Sequence, residues 1–466
     1  MRRPHVFDCI VVGAGFAGLS AAQTLAKGHN VLVLEARDRV GGRTEAGTLA
    51  GEVIDLGGMW VGPTQTALLE LGRAFGVETY PTYLEGRSIG RFDGLNTVFD
   101  GEAFETRIGL ISKIHLGLLV HKLDRLCARI DPATPWMSSG AAQLDAMTVA
   151  QWSGVHVRNG RVRKLFHFIV RSVFCCEPDD LSLLFFLFYL KSAGGLEVLI
   201  KAGPGGAQNH LFVGSLHQIA QHLAGELPHP VKMGCPVDRI DQQDAMVTVR
   251  TKSGQTHKAR RVIVATPPAQ TNAIAFSPVQ PLPRRALLKR QVMGACIKVW
   301  LAYERPFWRD SGLNGSVVDT SQAFAPVFDV TPPGTLHGFL AGFFDAQAAI
   351  EWGDATPEDR RAEAVHTVTE AFGPQAARPI DVVERNWMDE TYSSGCYGAY
   401  MPPGTLTKYG PYLRQPFGRV HWAGTETSEI WSGYVEGAIR SGRRAADEVI
   451  AAFGDNRQPE LGAECR

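Results

Sequence analysis

The chain has 466 residues, 45% of them hydrophobic and 20% charged, an ordinary composition for a globular protein with a sizeable core. At roughly 100–200 residues per domain, this length predicts two or three domains. Lysine plus arginine and aspartate plus glutamate both total 47, so the formal net charge is zero and no long-range field favours a nucleic acid or an anionic membrane.

The N-terminal MRRP runs into an apolar stretch, as a signal peptide would. Asp8 breaks that stretch and a glycine loop follows, so a leader is not expected. VFDCIVV (6–12) is a short β-branched run of the kind that forms a buried parallel strand. GAGFAGLSAAQTLA (13–26) reads as loop and helix, and NVLVLE (30–35) as the next strand, which completes one βαβ unit. From about 82 to 210 helical periodicity dominates, as in 110–123, and aromatic density rises from Phe166 to Tyr189. The longest apolar run, Leu181 to Leu190, is about half the ~20 residues of a membrane span. Strand signals return at 231–265, an alternating stretch at 292–303 suits a sheet, and the strand at 419–424 leads into a Gly/Ala-rich helix at about 433–453.

The eight cysteines are scattered without a CxxC, and the fourteen histidines form no HExxH. Reduced thiols, a cytoplasmic location and no metal site are therefore expected.

Gly13-x-Gly15-x-x-Gly18 stands where a dinucleotide loop belongs, after a strand and opening a helix. Glycine there permits a tight turn and close approach of a pyrophosphate to the amides of the helix N-terminus. Glu35 ends the second strand, placed to accept hydrogen bonds from ribose hydroxyls, with Ala36 and Arg37 beside it. This motif alone does not separate NAD from FAD.

The following segments do: RDRVGGRT (37–44) and DLGGMWVGPT (55–64), then LFVGS (211–215), PV (236–237), VATPP (264–268), NWMDETYSSGCY (386–397) and WAGTETSEIWSGYVEGA (422–438). In this order they resemble the flavin amine oxidases, specifically the monoamine oxidase type, from about residue 6 to 453. The resemblance implies an α/β fold in which a discontinuous Rossmann-like FAD-binding domain (1–81, 211–285 and 390–453) interleaves with a mixed-sheet and helical substrate domain (82–210 and 286–389). A polar tail (454–466) follows.

It also implies site roles. Gly42 and Arg43 approach the flavin pyrophosphate, where Arg43 offers a bidentate anion clamp. Gly57, Gly58, Met59 and Trp60 line the isoalloxazine and ribityl region, Val237 meets the adenine, and Gly424, Thr425 and Glu426 lie by the ribityl–diphosphate. Trp387 and Tyr392 pack around the flavin. Cys396, in SSGCY where the family has SGGCY, is expected to carry the flavin 8α-methyl group as a thioether. Tyr397 and Tyr434 match the aromatics that flank the amine, and Lys298 matches the lysine that reaches flavin N5 through a water and is proposed to help oxygen reduction. Gln208, Ile200 and Phe328 are expected in the substrate cavity, with Phe185 a softer expectation. Ser215 departs from the family by replacing the second glycine of a GlyGly pair.

The implied activity is oxidation of a primary monoamine to aldehyde, ammonia and hydrogen peroxide with O2 as acceptor, in a homodimer without membrane anchor. Asp329 offers a second reading: as an acid for a distal ammonium it would make the enzyme a putrescine oxidase. A loop-capping aspartate before ThrProPro fits it better. An amino-acid oxidase ranks lower, because no arginine is placed to face the substrate carboxylate. A non-catalytic FAD-binding redox protein is disfavoured by Lys298 occurring with both tyrosines.

Overall fold

The computed structural model describes residues 5–92, 95–100, 109–243 and 245–454; the N-terminal MRRP and all but the first residue of the expected polar tail lie outside the described residues. β1 (Val6–Val12), α1 (Phe16–Ala26) and β2 (Val31–Leu34) form the expected βαβ unit, with β1 and β2 parallel. Cys9 and Val11 pack into one apolar cluster and Ile10 and Val12 into another on the opposite face. Burial on both faces is why β1 is a continuous apolar run rather than an alternating one.

One seven-stranded sheet collects β1 and β2 with Val237–Gln242, Val247–Thr251, Thr256–Val264, Ala275–Ser277 and Val420–Trp422. Thr256–Val264 lies parallel to both β1 and Val420–Trp422, so Val12, Val264 and Trp422 end side by side. The last helix, Val435–Gly454, packs on α1 so closely that a Cβ on Gly442 would stand 2.1 Å from the Ala17 carbonyl oxygen.

A second seven-stranded sheet runs Asp381–Asn386, Cys296–Tyr303, Gly338–Asp345, Phe324–Asp329, Leu313–Asp319, Arg87–Phe92 and Leu95–Asp100. The last two differ from the helical character expected across 82–210. RSIGRF carries too little apolar alternation to mark a strand, and parallel pairing with Leu313–Asp319 makes it one. The rest of that segment is helical as expected: Leu110–Cys127, Gly160–Phe174 and Leu183–Ala193 surround their own apolar core. Among the described residues no helix is long and apolar enough to cross a membrane.

Candidate active site

Beyond the ends of β1 and β2, between the two sheets and the helical layer, lies a cavity of about 1190 Å³. That exceeds the roughly 300–1,000 Å³ of a typical small-molecule site and suits a dinucleotide together with a substrate. Its two ends differ in chemistry.

At one end, α1 starts at Gly15 with no side-chain cap, so its first amides are left for a ligand. Gly13 has φ +101°, and a Cβ on Gly18 would stand 1.9 Å from the Gly13 carbonyl oxygen, so the loop tolerates no side chain at its closing position. The Glu35 carboxylate accepts from the amides of Ala14 (2.6 Å) and Arg37 (3.0 Å), which fixes it at the wall. Ala36, Arg37, Gly42 and Val237 line the same end, as does Tyr392, whose ring the Arg37 guanidinium overlies at 5.6 Å. Arg37 also donates to Glu390 (3.2 Å) and Ser393 (2.8 Å). A Cβ on Gly57 would lie 2.2 Å from the Arg43 carbonyl oxygen and 3.0 Å from the Trp387 ring. Gly57, Gly58, Met59, Trp60 and Trp387 thus form a close wall in the middle of the cavity. This glycine-lined cradle, with free helix amides and a carboxylate at its wall, fits an FAD.

Arg43 lines the cavity as well. Its fork engages Glu426 at 2.6 and 3.2 Å, and Nη1 also donates to the Tyr397 carbonyl (2.9 Å). Glu426 stands behind the cavity wall and also accepts from the Ala399 amide at 3.3 Å. Burial works against both charges, but each holds the other ionised: Glu426 titrates below the usual carboxylate range and Arg43 above the usual guanidinium range. The pairing fixes the guanidinium at the cavity wall. Gly18 and Gly424 also lie outside the lining; the Gly424 amide donates to Ser441 Oγ (3.1 Å) at φ +129°. Thr425 lines the cavity and donates to the Tyr434 carbonyl (2.8 Å).

At the other end, Cys396, Tyr397 and Tyr434 line the cavity. Burial pushes the Cys396 thiol and both phenols up, so all three are neutral. Tyr397 meets Phe343 edge-on, with ring centres 5.9 Å apart at 88°. Tyr434 is braced by Trp431 (4.8 Å) and Tyr189 (6.1 Å). Tyr189 and Phe343 are lining residues that the sequence reading missed; only the aromatic density near Tyr189 signalled one of them.

Lys298 is buried, and its Nζ donates to the carbonyls of Asp55 (2.7 Å) and Gly57 (3.0 Å) and to Met59 Sδ (3.0 Å). Burial pulls its titration down to about 7, opposed by Asp55, Cys296 and Cys396.

Gln208, Ile200 and Phe328 all line the cavity: Gln208 donates to the Leu199 carbonyl (3.0 Å), and Phe328 packs on Trp60 at 5.2 Å. Phe185 does not; it points into the helical core against Phe188 and Tyr189. Asp329 does not line the cavity either. Only 1% exposed, it accepts through Oδ2 from Trp308 Nε1 (2.8 Å) and Arg309 (2.7 and 2.8 Å), and through Oδ1 from the Thr331 amide (3.0 Å). It is the loop cap. One buried cluster, Cys175, Cys296 and Asp345, has its sulfur and carboxylate atoms within 4.8 Å of one another. Burial raises all three above their usual titration ranges, so they stand as neutral, hydrogen-bonded groups.

Residues 16–450 match the family model of flavin containing amine oxidoreductases, and the chain belongs to that family of flavin-dependent, amine-oxidising enzymes. It is 40% identical over 450 residues to Mycobacterium tuberculosis AofH, which carries the name flavin-containing monoamine oxidase, covering 96% of this chain and 97% of that one. Among solved structures, cyclohexylamine oxidase from Brevibacterium oxydans IH-35A superposes with a TM-score of 0.92 at 33% identity, covering 97% of this chain and all of that one. A putrescine oxidase bound to putrescine gives the same score at 31% identity, covering 96% and 100%.

Proposed function

We propose that the chain oxidises the free-base form of primary arylalkyl monoamines, held between Tyr397 and Tyr434, to aldehyde, ammonia and hydrogen peroxide. The observation that carries this reading is the chemistry of the amine end of the cavity. Its deep lining is aromatic and aliphatic, and its acids lie elsewhere: Glu35 at the nucleotide end, and Asp100, Asp124 and Glu197 exposed at the mouth. A distal ammonium would find no buried carboxylate there, because Asp329 is committed to Arg309 and Trp308. FAD, when bound, supplies the acceptor for a hydride equivalent from the amine α-carbon and passes the electrons to O2.

The protein's part is orientation and exclusion of water. Two neutral phenol rings form an aromatic slot that takes an uncharged amine more readily than an ammonium that must shed its hydration. Met59, Trp60 and Phe343 close the apolar wall around it. Lys298 stands on the same wall with an amine near its midpoint at neutral pH, able to hold or release a proton where oxygen is reduced. The reading includes FAD carried on Cys396 as a thioether, supported by the thiol lining the cavity within the SSGCY segment. It includes a homodimer by family resemblance and a cytoplasmic location, supported by the seven cysteines among the described residues, all free and buried.

Peroxide release across arylalkyl monoamines, cyclohexylamine, putrescine, spermidine and amino acids tests the substrate class. Turnover of benzylamine or tyramine is expected; turnover of putrescine alone would reverse the reading. Acid precipitation tests the linkage: a yellow pellet is expected from the wild type and a yellow supernatant from Cys396→Ala, and a yellow wild-type supernatant would refute it.

A further inference from the structure

Ser215 is the point where this chain departs from a glycine pair, and its backbone retains the glycine-like conformation at φ +95°. A side chain in that region is strained and persists where the surroundings hold it. Here the hydroxyl donates to Asp55 Oδ1 at 2.5 Å and accepts from the His217 amide at 3.0 Å, while Asp55 Oδ2 accepts from the Leu216 amide at 3.0 Å. Asp55 ends the strand Glu52–Asp55, and both it and Ser215 are buried. The main-chain oxygen of this same Asp55 receives Lys298 Nζ at 2.7 Å.

We propose that Asp55, held by Ser215, is the positioning residue for Lys298: its carbonyl, together with that of Gly57, fixes where the amine sits, and its carboxylate is the counter-charge behind it.

Few of the groups around the amine can carry a charge. Facing Lys298 are Asp55, the Gly57 carbonyl oxygen and Met59 Sδ (each 3.0 Å), the thiols of Cys296 and Cys396, and the rings of Trp300 (4.9 Å) and Phe343 (5.9 Å). Facing Asp55 are Lys298, the phenol of Tyr80 and the turn at 215–217. Burial keeps Tyr80 and both thiols neutral, and it lowers the titration of the His217 ring, which contacts the Thr44 carbonyl oxygen at 3.1 Å. Among the groups named, Asp55 is therefore the one that can offer Lys298 a negative charge. Burial pushes the Asp55 carboxyl up, and the Ser215 hydroxyl is the largest influence opposing it, ahead of the Leu216 amide and Lys298. Without that hydroxyl, Asp55 spends more time protonated, Lys298 loses its counter-charge, and the amine gives up its proton at lower pH. The bearing on turnover rests on the proposed role of Lys298 in oxygen reduction.

The sign of the linkage makes this measurable without activity. An unfolded lysine titrates near 10.5 and folded Lys298 near 7, so the unfolded chain binds the extra proton between those values and stability rises with pH across that window. Urea midpoints of the flavin-loaded protein, taken from pH 5 to 9 with Lys298→Met subtracted, isolate the lower edge of the window. Ser215→Gly and Ser215→Ala are expected to move that edge down by about half a unit or more, roughly a threefold change in proton affinity. Glycine suits the backbone and alanine does not, so the two variants differ in overall stability while sharing the shift. An unmoved edge in both, whatever their stability, overturns the proposal and leaves Ser215 a packing residue. Flavin reoxidation by O2, followed by stopped flow against pH, should shift in the same direction. If the stability edge moves and reoxidation does not, the Asp55–Lys298 coupling stands and the assignment of Lys298 to oxygen reduction falls.

Discussion

Replacing Asp329 separates a structural acid from a substrate-binding one. Asp329→Ala removes the partner of three donating groups: the Trp308 indole, 1% exposed; the Arg309 guanidinium, about a quarter exposed; and the Thr331 amide. Leaving the indole N–H unpaired costs about 1–3 kcal/mol. The guanidinium adds less than a fully buried charge would, because solvent reaches it. The whole loss is about 3–5 kcal/mol, the range for breaking a buried pair by removing one partner. A chain of 466 residues has an unfolding entropy of about 1 kcal/mol/K, so the melting temperature should fall by roughly 3–5 °C. Differential scanning fluorimetry of the flavin-loaded protein reads this, and the ratio of kcat/KM for benzylamine to that for putrescine is measured alongside. The ratio is expected to stay constant. A variant with unchanged melting temperature and a collapsed putrescine rate would refute the reasoning and make Asp329 the distal anchor.

Further substitutions probe other parts of the frame. Gly442→Ala drives a Cβ into the Ala17 carbonyl, so α1 must move; a loss of about 1–3 kcal/mol and a lower flavin-to-protein absorbance ratio are expected. Glu436 is fully buried and accepts from the amides of Ala67 (3.1 Å) and Leu68 (2.9 Å), the start of a helix with no cap of its own, and from Arg440 (2.6 Å). Glu436→Gln turns a donor toward this set and should cost about 2–3 kcal/mol in urea unfolding, with KM unchanged. Lys298→Met removes a lysine whose titration falls from about 10.5 unfolded to about 7 folded, so the variant's stability relative to the wild type should be greatest near pH 6 and shrink as pH rises toward 10, while flavin reoxidation slows. A difference that does not vary with pH would show that the lysine stays hydrated.

Local signals carried much of the fold. β1, its glycine loop and β2 are contiguous, and each step of strand, turn and helix leaves its own mark in composition. The strands Arg87–Phe92 and Leu95–Asp100 left none, because the partner of the first lies more than two hundred residues away at Leu313–Asp319. The site divides along the same line. Cys396, Tyr397 and Lys298 were legible through motif resemblance, whereas Tyr189 lay hidden in a helix whose residues nearly all read as core. The pairing of Arg43 with Glu426 joins positions 383 apart in sequence, and no spacing rule relates them.

That pairing also bears on what the cavity can bind. Arg43 and Glu426 cancel one another at the wall, the Cys396 thiol and the two phenols are neutral, and Lys298 sits near its midpoint at pH 7 with Asp55 behind it. Little net charge therefore faces the amine end, and an ammonium entering it would give up its hydration without gaining a counter-ion. An amine arriving as the free base faces no such cost, and its lone pair is then available when the α-carbon loses its hydride equivalent. The proposed selection for the uncharged amine therefore rests on how the protein disposes of its own charges: among the described residues of the wall, Arg43 and Glu426 are spent on one another, and Asp55 stands behind Lys298 rather than before the substrate.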